Sequence, residues 1–123
     1  MALGAVALGC TNHDATAPRG PALCTRETVL SIGPGTSPEI RWSPDCVVTS
    51  VAVMEPAAST MRWVIRVPDT TLHSPQRYDV TPSGGTRFGP GGPLVAGQRY
   101  LVLLGMRTSE TDERTVTSMS YTP

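Results

Sequence analysis

The chain has 123 residues with ten Arg, no Lys, five Asp and five Glu, so its formal net charge is zero. A nucleic-acid binder needs a basic surplus on one face, and this chain has none to offer a polyanion. Gly and Pro number 12 each and Thr 16, and 39% of residues are hydrophobic; this excludes a helical bundle and a disordered chain, and fits one small domain of short strands joined by turns. The chain opens on an apolar stretch, residues 2–9 (ALGAVALG). It is too short to span a bilayer, which takes about 20 residues, and its small residues suit the end of a secretory signal. Cys10 follows, then residues 11–21 (TNHDATAPRGP), polar and without a period of 2 or 3.6, which reads as a flexible tether. His13 and Asp14 in that tether lack fixed neighbours with which to hold a metal ion.

The run Ala7-Leu8-Gly9-Cys10 resembles the lipobox of bacterial lipoproteins. The resemblance implies that Cys10 is lipidated and becomes the mature N-terminus, that residues 1–9 are part of a signal peptide whose start lies upstream, and that residues 10–21 tether a domain over 22–123 to a membrane. Thr11, rather than Asp, after the Cys implies an outer-membrane position in the cell envelope, facing the periplasm or the exterior. With Cys10 carrying lipid, Cys24 and Cys46 remain as an even pair, 22 residues apart, in an oxidising compartment. They are expected to form a disulfide; the alternative is two buried thiols in a cytosolic protein. No CxxC is present, and two His cannot complete a zinc site at plausible spacing.

From residue 27 onward the sequence predicts strands broken by turn signals. Residues 27–32 (ETVLSI) end at Gly33-Pro34-Gly35, and 39–42 (EIRW) end at Ser43-Pro44-Asp45. Residues 46–54 (CVVTSVAVM) read as one long β-branched strand before a loop at 55–60. In 61–67 (MRWVIRV) the alternation puts Met61, Trp63, Ile65 and Val67 on one face and Arg62, Val64 and Arg66 on the other. A polar connection at 68–75, a short strand at 77–81, a Gly-rich loop at 82–93, and strands at 98–106 and 113–121 complete the chain. About seven strands at this spacing predict an all-β fold, a small antiparallel β-sandwich, and leave no room for βαβ crossovers.

Residues 94–102 (LVAGQRYLV) look like the L-x-x-G-x-x-Y-x-V segment of fibronectin type III domains, and 40–44 (IRWSP) are similar to that family's second strand. The resemblance, over residues 27–121, implies an immunoglobulin-like sandwich in which the Tyr100 hydroxyl bonds a backbone group a few residues upstream.

No catalytic constellation emerges, and no cofactor is implied. Asp69, His73 and Ser74 are close in sequence, but adjacent His73 and Ser74 diverge and no nucleophile elbow is present. The glycines at 84–85, 89 and 91–92 open no helix and have no Lys beside them, so a phosphate cradle is not expected. Glu110, Asp112 and Glu113 fall in a turn, where charges are solvated. Trp42 and Trp63 sit in step with apolar neighbours and are expected in the core, although an exposed indole would favour a sugar-binding module. The site expected is a surface, with a bulge in this sheet or the tail folded over the face as the alternative. If Trp63, Ile65, Tyr100, Val102 and Leu104 face inward, alternation sends Val64, Leu101 and Leu103 outward, with Val48, Ala52 and Met54, beside Arg62, Arg66 and Arg99. The function expected is a non-catalytic, membrane-anchored envelope lipoprotein that binds or positions another envelope component, an envelope protein being one such partner. The alternative is a secreted carbohydrate- or peptide-binding module.

Overall fold

Residues 22–25, 27–68, 70–109 and 111–123 are described by a computed structural model. The predicted signal and tether segments, with Cys10, the residue expected to carry lipid, lie outside them, as do Asp69 and Glu110. In chain order the strands are β1 (Ala22–Leu23), β2 (Val29–Ile32), β3 (Glu39–Ser43), β4 (Cys46–Val47), β5 (Ser50–Glu55), β6 (Thr60–Arg66), β7 (Gln76–Arg77), β8 (Thr86–Phe88), β9 (Tyr100–Arg107) and β10 (Glu113–Tyr121). A 3-10 turn, Pro56–Ala58, joins β5 to β6.

The strands form a three-stranded sheet in the order β2-β3-β7 and a five-stranded sheet in the order β10-β9-β5-β6-β8, both antiparallel. Their inner faces supply one core, with Ile40 and Trp42 from the smaller sheet and Val51, Val53, Trp63, Ile65, Tyr100, Val102 and Leu104 from the larger. The protein is a small antiparallel β-sandwich. Its buried aromatic residues anchor the core, and the Trp63 and Tyr78 rings meet edge to face at 5.2 Å.

A short parallel pair, β1 with β4, lies beside this sandwich, and Cys24 and Cys46 are joined there by a disulfide with the Cα atoms 5.0 Å apart. The bond ties the residue after β1 to the first residue of β4. Entry to β9 is set by a turn in which Gln98 N–H donates to Val95 O, with Gly97 at φ +87°. Inside that turn Val95 N–H donates to the Tyr100 hydroxyl at 2.8 Å, which satisfies a polar group on an otherwise fully buried side chain.

Four predicted details differ. The single strand 46–54 is two strands, because Thr49 is spent on three other partners: its N–H donates to Gly105 O, its carbonyl accepts from Val67 N–H, and its hydroxyl accepts from Arg107 N–H. The alternation therefore resets at Thr49, and Val48 is fully buried instead of facing outward. Strand β6 carries a bulge: Val53 pairs with Trp63 and Met54 with Met61, so Arg62 is the extra residue and Met61 changes face. The predicted strand at 77–81 is only Gln76–Arg77, since the chain turns at Tyr78 and Asp79, whose φ is +69°. The Gly-rich loop holds β8, a three-residue edge strand paired with β6.

Candidate functional site

The outer face of the five-stranded sheet follows from its register. Leu103 pairs with Ala52, Ala52 with Val64, and Val64 with Phe88, so these four residues form one row across β9, β5, β6 and β8. The next row toward one end holds Gly105, Ser50 and Arg66, and the next toward the other holds Leu101, Met54 and Met61. The centre of the face is low because its residues are small: Gly105, Ser50 and Ala52. Larger side chains stand on both sides, and together they enclose an open hollow of about 280 Å³ walled by Leu103, Val64, Met61 and Phe88.

Charge closes one end of this hollow. Arg66 and Glu113 reach across the floor from β6 and β10 and pair at 3.2 Å, and the Arg66 guanidinium also lies 5.6 Å from the centroid of the Phe88 ring. Gly105 makes room for that bridge, because a Cβ there would run into Ser50 Oγ and come within 3.5 Å of the Glu113 side chain. Beyond the bridge is a second, polar hollow of about 220 Å³ that carries Arg107 and Asp112 beside the same pair. Phe88 and Met61 remain 48% and 46% exposed, whereas Val64 and Ala52 are buried beneath their neighbours. A solvated sheet face carries Thr, Glu or Lys at such positions; apolar residues rimmed by Arg are the composition of interface cores.

Of the six residues expected on this surface, Val64, Leu103 and Arg66 line the hollow. Leu101 shares the face one row away, paired with Met54 and Ser120, and is half-buried. Arg62 is not on it. As the bulge residue it turns to the Tyr78 phenol and to Glu55, whose carboxylate is 3.8 Å away, and these hold its guanidinium above the ordinary arginine range against the opposing effect of burial. Arg99 is exposed at the far end of the sheet beside Pro56, Ala57 and Gln98. Met61, Phe88, Ser50, Gly105 and Glu113 complete the hollow but were not singled out for it from the sequence. For Phe88 the sequence offers no periodic signal, because Thr86-Arg87-Phe88, between two glycines, is too short to show one.

The remaining candidates have local structural roles. Tyr78 donates to Gly92 O at 2.7 Å, and the Asp79 carboxylate accepts Gly92 N–H at 3.2 Å and pairs with Arg87. Gly91 N–H donates to Arg62 O at 2.9 Å. These contacts strap the Gly-rich segment across β6. Burial pushes the Tyr78 phenol above its usual range, and the nearby Arg62 only partly offsets it. Ser74 Oγ accepts Trp42 N–H at 2.9 Å, and His73 Nδ1 faces the Asp45 carboxylate at 3.4 Å, both groups well exposed. Trp42 and Trp63 are buried. Among the described residues no group of three or more His, Cys, Asp or Glu side chains is placed to hold a metal ion.

No protein-family model, curated protein or solved structure matches the chain.

Proposed function

We propose that this protein is a non-catalytic envelope lipoprotein, anchored through Cys10, whose β-sandwich holds another protein of the envelope against the outer face of its five-stranded sheet. The observation that carries the reading is the apolar hollow over Ala52, walled by Leu103, Val64, Met61 and Phe88, on a face where solvent would favour polar residues. The Ala7-Leu8-Gly9-Cys10 run supports the anchor, and a disulfide between Cys24 and Cys46 suits an exported protein. The wiring supports a fibronectin type III-like domain: a small sheet of three strands, a larger sheet whose central strands are β9, β5 and β6, and a tyrosine whose hydroxyl takes a backbone N–H five residues upstream.

Two measurements test it in the cell of origin. Fatty-acid labelling should mark the wild-type protein and leave Cys10→Ser unmarked; an unlabelled, soluble wild type overturns the anchor. The double variant Leu101→Glu, Leu103→Glu should stay folded, because both positions face outward, and should no longer recover its partner from membranes. Undiminished recovery by that variant overturns the assignment of the surface.

A further inference from the structure

Two strands border each sheet: β8 and β10 the larger, β2 and β7 the smaller. A border strand exposes unpaired backbone N–H and C=O groups, and proteins guard such edges with short strands, charges, Pro or bulges. Strands β8, β2 and β7 are guarded by their length, at three, four and two residues. Strand β10 has nine. Its last seven, residues 115–121 (TVTSMSY), hold no charge, Gly or Pro. It has one bulge, at Val116, and residues 117–121 keep an unbroken register with β9.

The hydrogen bonds fix which groups of this edge are open. Gly105 O accepts Thr49 N–H, and Arg107 N–H donates to Thr49 Oγ1, so Leu101, Leu103, Gly105 and Arg107 turn their backbone groups toward β5. The residues between them, Tyr100, Val102 and Leu104, turn theirs toward β10 and engage Tyr121, Met119 and Thr117. Ser118 and Ser120 therefore point N–H and C=O away from the sheet, and among the described residues no hydrogen bond takes them. The side chains tell the same story. Met119 pairs with Val102 and faces the smaller sheet with it, yet Val102 is fully buried and Met119 is 42% exposed. The seam between the two sheets is open along β10.

We infer that β10 is a strand-addition edge. An extended segment of a partner protein pairs antiparallel with residues 117–121, exchanges backbone hydrogen bonds with Ser118 and Ser120, and lays an apolar side chain beside Met119 in the open seam. Such a segment alternates: apolar opposite Met119, polar opposite Ser118 and Ser120, whose side chains share the outer face with Leu103 and Leu101. A second copy would offer its own β10 over the same few residues and no further contact, well short of the ~800 Å² per partner of a specific dimer. For a free extended segment, main-chain pairing is itself the binding contact. Glu113, Arg114 and Thr115 of β10 also line the hollow, so a strand on this edge continues the surface proposed for the partner. The inference goes beyond that proposal and stands on the edge alone, without lipid on Cys10 or an occupant in the hollow.

The probe is a blocked peptide of alternating Val and Thr with an Arg at each end, titrated into the isotope-labelled full chain carrying Cys10→Ser. Amide signals of residues 117–121 should shift with a dissociation constant below about 1 mM, and the Ser118 and Ser120 amides, fast to exchange in the chain alone, should become protected. With Val opposite Met119, the peptide turns its Thr amides toward β10. N-methylation of those Thr amides should weaken binding at least about tenfold, and N-methylation of the Val amides should leave it unchanged. Ser118→Pro removes an outward N–H at an edge position where Pro is tolerated and should weaken binding as much. Its far-UV circular dichroism and the emission of the buried Trp42 and Trp63 should stay as in the parent. If Ser118→Pro fails to fold, the two methylated peptides decide alone. No binding, or equal loss from both methylated peptides, overturns the inference. Slow exchange of the Ser118 and Ser120 amides in the chain alone also overturns it, because the chain then covers its own edge. So does a dimer that Ser118→Pro dissociates and that takes up no peptide, because a second copy then holds the edge. None of these outcomes bears on Cys10 or on the hollow over Ala52, so the proposed function stands or falls separately.

Discussion

The two faces of the five-stranded sheet carry similar residues and differ in what lies over them. On the inner face Val51, Val53, Trp63, Ile65, Tyr100, Val102 and Leu104 are fully buried against the smaller sheet. On the outer face Met61, Val64, Leu103 and Phe88 surround a hollow that stays open. Hydropathy alone does not separate these two sets; cover does. The inner residues stabilise the fold because folding removes them from water, at about 25 cal/mol per Å² of apolar surface. Those outer residues that are still exposed have that free energy in reserve for a contact made after folding.

The sharpest way to break the comparison is to truncate one aromatic residue on each face. Trp63→Ala, on the inner face, should lose about 3–5 kcal/mol in urea-induced unfolding, from lost transfer energy and the cavity left behind. Phe88→Ala, on the outer face, should stay within about 0.5 kcal/mol of the parent. Equal losses would mean that the outer face is covered as completely as the inner one. The disulfide comes next, since it fastens the smaller layer that provides the cover. Cys46→Ser should cost about 2–4 kcal/mol, and thiol counting on the denatured, unreduced protein should find neither Cys24 nor Cys46 free. Tyr100→Phe probes a single polar group at the inner edge. It leaves Val95 N–H without its acceptor and should lose about 1 kcal/mol; an unchanged melting midpoint would remove the tyrosine corner from the fold's supports. The smallest effect belongs to the outer charges. Arg66→Ala or Glu113→Ala should change stability by at most about 1 kcal/mol, because the pair is half-exposed and screened by salt, so a loss comparable to Trp63→Ala would show that the bridge holds the fold together.

What the sequence made legible was alternation, and what it hid were the places where alternation breaks. The inward set Trp63, Ile65, Tyr100, Val102 and Leu104 is read directly from period 2, as is the outward direction of Val64 and Leu103. Met61 was assigned to the wrong face because one inserted residue, Arg62, reverses everything before it in the strand, and no residue type announces a bulge. Val48 was misassigned for a similar reason. Thr49 is as β-branched as its neighbours, and only its tertiary partners Gly105, Val67 and Arg107 reveal that the strand ends there. Strand β8 was missed because three residues between glycines are too few for a period to register, and it is held by β6 and by the strap of Tyr78 and Asp79 on Gly92 rather than by its own propensity. The hollow itself was legible as a stripe but not as a shape. Its depth comes from Ser50 and Ala52 on β5 lying beside Gly105 on β9, a coincidence of register between two strands that no linear reading contains.

The position of the disulfide also fixes how the domain would bear a load. Tension arriving through the residues before Ala22 meets a covalent bond at Cys24 before it reaches β2, and passes directly to Cys46 at the head of β4. Strands β2 and β3 lie inside the closed ring, so a pull on the two ends of the domain cannot peel them apart in sequence. In the oxidised protein the segment between the two cysteines, 22 positions apart, would contribute no contour length, and reduction would release about 70 Å of added extension, at ~3.4 Å per residue less the 5.0 Å already spanned by the bond. The bond thus works as a strain limiter: it sets the most that this domain can be stretched while it is oxidised, and it keeps β2 and β3 out of the path of the force.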